Sequence, residues 1–184
     1  MASMQLGNIA GLKITAHRSA FIGFVLVWIA LALVGMALFY LPFISAVLWA
    51  LVATLLHYFS EFFHQWGHAR AARRVGYPMI GVRYWWILGA SIYPKDEPDL
   101  PGRTHIRRAL GGPAASFFLT VVAGILTAAV ALSIPSDGGG TPFQWELLAV
   151  SAFFFLDNLF VFTLGAFLPL GFTDGSTILR WWGK

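Results

Sequence analysis

The chain has 184 residues, of which 58% are hydrophobic and 11% charged, with 12 Lys and Arg against 8 Asp and Glu and a net charge of +4. So few charges cannot coat a soluble domain of 20.2 kDa, and a mean hydropathy of +0.73 sends the apolar surplus to lipid. Zero cysteines exclude disulfides, thiolate metal sites and a cysteine nucleophile, which leaves histidine, carboxylate and neutral oxygen as metal ligands.

Residues 1–19 form a short N-terminal segment. Ala20 to Leu41 is an uncharged apolar run long enough to cross a hydrocarbon core, and it predicts a first transmembrane helix over 20–41. The run exceeds a usual signal-peptide core, and no small-residue cleavage pattern follows Tyr40-Leu41-Pro42, so it reads as a span. After a turn at Pro42, residues 43–75 read as a second long helix. Its first half is apolar and its second half carries His57, Glu61, His64, Gln65 and His68. Gly81 to Tyr93 is rich in strand-favouring residues between Pro78 and Pro94, which predicts a short hairpin over 81–93. Its aromatics Tyr84, Trp85, Trp86 and Tyr93 suit a membrane interface. The loop Pro94 to Pro101 reads as a solvated connector. A third span over 109–134, a Pro/Gly-rich turn over 135–142, a fourth span over 143–168 and an Asp-Gly segment over 169–179 complete the chain. The expected fold class is an all-α integral membrane protein, with about four transmembrane helices and a membrane-associated β hairpin between the second and third.

The basic residues all lie outside the spans. Lys13 and Arg18, the set from Arg70 to Arg108, and Arg180 with Lys184 fall on one side of a four-span arrangement, while the turns at Pro42 and 133–142 carry no Lys or Arg. By the positive-inside rule the protein is multi-pass with both termini cytoplasmic. The charge is then a topology signal, and nucleic acid is not an expected partner.

His57, Glu61, His64 and His68 follow one another at intervals of four, three and four, so on a helix they share one stripe about 60° wide. Ionisable groups inside a membrane are costly unless they face protein, water, a metal or each other, so the stripe points to function, and four aligned residues weaken the alternative of a structural polar seam. His64 and His68, at i and i+4, can present two imidazoles to one ion from successive turns. The third ligand must come from elsewhere, and Asp157 and Asp174 are the candidates. Asp174 follows the fourth span on the side where His68 lies. Asp157 lies roughly 16 Å deeper in its helix, near the level of His57. Asp157 and Asn158 can serve either as support behind the site or as an interhelical hydrogen-bonding pair.

The motifs resemble the site-2 protease family of intramembrane zinc metalloproteases in three separate places. His64-Gln65-Trp66-Gly67-His68-Ala69 is similar to that family's His-Glu-x-Gly-His-Ala, and Gly112-Pro113-Ala114-Ala115-Ser116 to its Gly-Pro-x-Ala-Asn. Asn158, Leu168-Pro169 and Asp174-Gly175 resemble its Asn...Pro...Leu-Asp-Gly region. The resemblance implies that His64, His68 and Asp174 bind Zn2+, and that the segment 81–93 corresponds to a membrane-associated sheet. That sheet would pair with an unwound strand of a transmembrane or membrane-proximal protein substrate.

The departures from the family pattern carry equal weight. Gln65 stands where the family has its catalytic glutamate, Ser116 where asparagine is usual, Ala166 near a second expected asparagine, and Thr173 before Asp-Gly in place of leucine. A carboxamide has no titratable oxygen, so it cannot take a proton from the attacking water or return one to the leaving amine. Glu61, a turn deeper than His64, is a poor substitute. The expectation is an intramembrane zinc metalloprotease-like protein with little or no activity in this form. The alternative is a non-catalytic subunit of a membrane complex that binds a transmembrane helix or a lipid-embedded cofactor. Haem ligation by His57, His64 or His68 would leave the Gly-Pro and Asp-Gly elements unexplained.

Overall fold

A computed structural model describes residues 3–184. The chain opens with two strands, β1 (Met4–Ile9) and β2 (Leu12–Ala16), joined by a tight turn in which Ala10 and Gly11 both have positive φ. The twist of such a turn matches that of the paired strands, and glycine at its second position removes the steric penalty there. Helix α1 (Arg18–Leu38) follows, with His17 at its N-cap, and then α2 (Phe43–Arg74) beginning just after Pro42. Strands β3 (Gly81–Trp85) and β4 (Leu88–Ile92) come next, followed by α3 (Gly102–Ala109) and α4 (Gly111–Leu132). Helix α5 (Pro142–Leu156) carries a full capping box at Thr141 and Gln144, and it runs on as a π-helical stretch, Asp157–Leu164, and a final turn, Gly165–Phe167. Helix α6 (Asp174–Trp181) ends the fold.

Among the described residues, four helical stretches are long and apolar enough to cross a membrane: Arg18–Leu38, Phe43–Arg74, Gly102–Leu132 and Pro142–Phe167. Their outward faces expose large apolar side chains, including Ile22, Leu33, Ile44, Phe118, Ile125 and Phe160, in numbers that water does not tolerate and lipid does. These stretches make the chain a membrane protein.

The four strands form one sheet in the order β1-β2-β3-β4. The outer pairs are antiparallel, while β2 and β3 run parallel, with Lys13 opposite Gly81 and Ala16 opposite Tyr84. A parallel pair needs a long crossover, and here α1 and α2 supply it. The expected hairpin over 81–93 is thus half of a larger sheet, and the N-terminal segment supplies the other half. Leu12, Ile14 and Ala16 alternate inward from β2 and join Val82, Tyr84, Ala69 and Ala72 in one buried cluster.

Glycines set the closest approaches between elements. A Cβ at Gly67 would lie 2.3 Å from the Gly111 carbonyl oxygen, and one at Gly111 would lie 2.5 Å from that of Gly67, so α2 and α4 cross with backbones nearly touching. A Cβ at Gly23 would strike the Trp86 carbonyl, so α1 packs directly on the β3–β4 turn.

Candidate metal centre

Helix α2 delivers His64 and His68 from successive turns, both buried, and α6 brings Asp174 to them from its first residue. The Asp174 carboxylate lies 3.2 Å from His64 Nε2 and 3.3 Å from His68 Nε2, and the two imidazole nitrogens are 3.0 Å apart. One ligand atom from each residue therefore falls within a sphere of metal-binding size. Four ligands at ordinary zinc distances stand about 3.3 Å from one another, so these separations fit a tetrahedral ion.

The surroundings fit a cation as well. The Arg108 carbonyl accepts from His68 Nδ1 at 2.9 Å and so aims Nε2 at the cluster. Ser116 Oγ lies 2.9 Å from His64 Nδ1 and orients that ring in the same sense. Gly112 borders both nitrogens: a Cβ there would stand 2.3 Å from His68 Nε2 and 2.4 Å from His64 Nε2, in the space an ion needs. Burial alone would raise the Asp174 carboxyl, but the His68 charge and hydrogen bonds from both imidazoles prevail and bring it down to about 2, so it stays ionised. Gly175 allows this placement, because a Cβ there would lie 2.0 Å from the Phe167 carbonyl oxygen.

A cavity of about 740 Å³ opens beside the three residues. Strand β4 forms one wall of it, Leu168, Leu170 and Phe172 supply apolar lining, and Glu97 and Arg108 lie among its polar lining residues.

Gln65 and Glu61 face β4. The Gln65 amide nitrogen donates to Glu61 Oε1 at 2.9 Å and to the Gly89 carbonyl at 3.1 Å, and its oxygen accepts from the Ser91 hydroxyl at 2.7 Å. Glu61 Oε1 also accepts the Gly89 N–H at 2.8 Å. His57 and Asp157 form a separate pair deeper in the bundle. Nδ1 of His57 lies 3.1 Å from the Asp157 carboxylate, and its Nε2 donates to the Ile87 carbonyl at 2.9 Å. Asn158 donates to Ser60 Oγ and to the Phe154 carbonyl, which ties the π stretch to α2. The i→i+5 bonding of that stretch stacks Asp157 above Phe162 and Asn158 above Thr163, and all four are buried.

The sequence had singled out His57, Glu61, Gln65, Asp157 and Asn158, and the structure divides them between the β4 contact and the helix pairing. Gly89, Ser91 and the Arg108 backbone carbonyl were not singled out. A glycine inside a strand was the available signal for Gly89, whereas a main-chain carbonyl leaves none.

No protein-family model matches the chain, and no curated protein does. Among solved structures, a site-2 protease from Methanocaldococcus jannaschii superposes with a TM-score of 0.61 at 23% sequence identity, over 97% of this chain and 70% of that one. The chain therefore shares the fold of that site-2 protease.

Proposed function

We propose that the protein is a multi-pass, zinc-binding relative of the site-2 proteases with both termini cytoplasmic, and that in this form it engages membrane-embedded peptide with little or no hydrolysis. The observation that carries this reading is the convergence of His64, His68 and Asp174 from two elements distant in sequence, with Gly112 leaving the space between them clear. His64 and His68 would hold zinc through Nε2 and Asp174 through a carboxylate oxygen. The ion would supply Lewis acidity toward a peptide carbonyl and toward water.

The chain's own residues set the limit. Gln65 offers no titratable atom, and its amide is already committed to Glu61, Gly89 and Ser91. Glu61 Oε1 is engaged by two donors, which argues against Glu61 as a substitute base. Loss of a general base removes about 10²- to 10⁴-fold of rate. The apolar side of the cavity suits the side chains of a transmembrane or membrane-proximal substrate, and β4 is a sheet edge beside the cluster, as strand addition requires. The same tied-down amide also suits the second reading, a non-catalytic subunit that holds a partner helix.

Metal analysis of the purified protein tests the ligand set. One zinc per chain is expected, falling to background in His64→Ala and Asp174→Ala, and a parent without zinc overturns it. Gln65→Glu with a helical membrane substrate tests the catalytic half. Cleavage above the parent is expected if only the base is missing, and no gain assigns the chain to binding alone.

A further inference from the structure

Strand β4 lies at the edge of the sheet, so one side of its backbone has no neighbouring strand. A free edge facing a cavity leaves N–H and C=O groups that demand partners. Here the partners are side chains of α2. The Ile87 carbonyl accepts from His57, the Gly89 N–H donates to Glu61, the Gly89 carbonyl accepts from Gln65, and the Ser91 hydroxyl donates to Gln65.

The match is a matter of spacing. Residues 57, 61 and 65 repeat every four positions, which is about 6 Å along a helix. Residues 89 and 91 of β4 stand about 6.6 Å apart along the strand, and Ile87 lies in the turn just before it. The two rows stay nearly in register, so one face of a helix stands in for a missing strand. Gly89 makes the approach possible, since a Cβ there would lie 2.6 Å from Glu61 Oε1 and 3.4 Å from Gln65 Cγ.

The chemistry at position 65 is specific to an amide. Its nitrogen points at two acceptors, Glu61 Oε1 and the Gly89 carbonyl, and only a donor satisfies both. A carboxylate in the same rotamer would put lone pairs against lone pairs in a buried site, which is costly. We propose that Gln65, with Glu61 and His57, is a lock on the outer edge of β4, and that an extended peptide enters the cleft by displacing the Gln65 amide from Gly89 and Ser91. Gln65 is then a positioning residue that sets access to the cleft. The lock itself needs no metal, and only the competition with peptide rests on the binding role proposed above.

Amide hydrogen exchange on the full-length protein in detergent, parent against Gln65→Leu, Gln65→Glu and Ser91→Ala, tests the lock. Gln65 steadies Glu61, whose Oε1 accepts the Gly89 N–H, so exchange over residues 87–92 rises about tenfold in the two Gln65 variants and by less in Ser91→Ala, which acts only through Gln65. Parental exchange in Gln65→Leu and Ser91→Ala overturns the lock, and parental exchange in Gln65→Glu overturns its dependence on an amide. Ser91→Ala removes a single partially buried hydroxyl and carries the test if a Gln65 variant does not fold. Binding of a fluorescein-labelled Leu/Ala transmembrane peptide with a central Gly-Pro break reads the competition. Affinity about three- to tenfold tighter in Gln65→Leu is expected, and unchanged or weaker binding overturns it. Zinc content measured on the same samples reports separately on the ligand set.

Discussion

Ser116 illustrates how much one side chain contributes behind a candidate metal ligand. Its hydroxyl lies 2.9 Å from His64 Nδ1 and leaves Nε2 directed at His68 and Asp174. Partners of this kind orient an imidazole and raise its basicity, and their loss costs about 10- to 100-fold in metal affinity. Ser116→Ala is expected to weaken zinc binding by that factor with the fold intact, as read by competition with a chelator. Unchanged affinity would show that packing alone holds His64. Phe162 supplies part of that packing, with its ring centroid 6.0 Å from that of His64. His68 is held differently, through the Arg108 carbonyl, whose side chain is itself fixed by Glu97, the Tyr77 carbonyl and the Tyr93 ring.

At the scale of elements, three of the interfaces that α2 makes meet at the site. Gly67 meets α4, His64 and His68 meet α6, and the row His57, Glu61 and Gln65 meets β4. The π stretch joins this assembly through the His57–Asp157 pair, both members of which are buried. Removing one member of a buried pair strands the other, at a cost of about 3–5 kcal/mol. Asp157→Leu should therefore lower unfolding stability in detergent by that amount, with the double change His57→Leu and Asp157→Leu recovering part of it. A double variant no better than the single one would mean that the pair contributes little beyond its volume.

The elements differ in how legible they are. The four spans can be read from the sequence because lipid requires long apolar runs whatever their partners. The strands β1 and β2 could not be, since they are short and β2 finds its partner β3 only after two intervening helices. The π stretch left no trace either, because nothing in the run Asp157–Leu164 separates i→i+5 from i→i+4 bonding before Asp157 and Asn158 find their contacts.

For the whole molecule, the distribution of Lys and Arg and the pairing of β2 with β3 make the same demand. The N-terminal strands and the β3–β4 hairpin share one sheet, so they lie on the same side of the bundle. With four membrane-length stretches, the N-terminus and α6 should both face the cytoplasm. The cysteine-free chain suits a labelling test. Single variants Ser3→Cys and Lys184→Cys should react with an impermeant maleimide from the cytoplasmic face, and Ser136→Cys only from the opposite face. Labelling of the two ends from different sides would require an odd number of crossings.

The sequence by itself determined that the chain belongs in lipid, how many stretches can cross it, which residues form a polar stripe on α2, and that position 65 lacks a titratable oxygen. These follow from composition, run length and helical period, which act locally. Only the tertiary structure decided which carboxylate joins His64 and His68, that Gly112 keeps the space between them open, and that Gln65 is bonded to Gly89 and Ser91. Those outcomes depend on where α6 and β4 come to rest against α2, and close contacts between elements distant in sequence fix those positions.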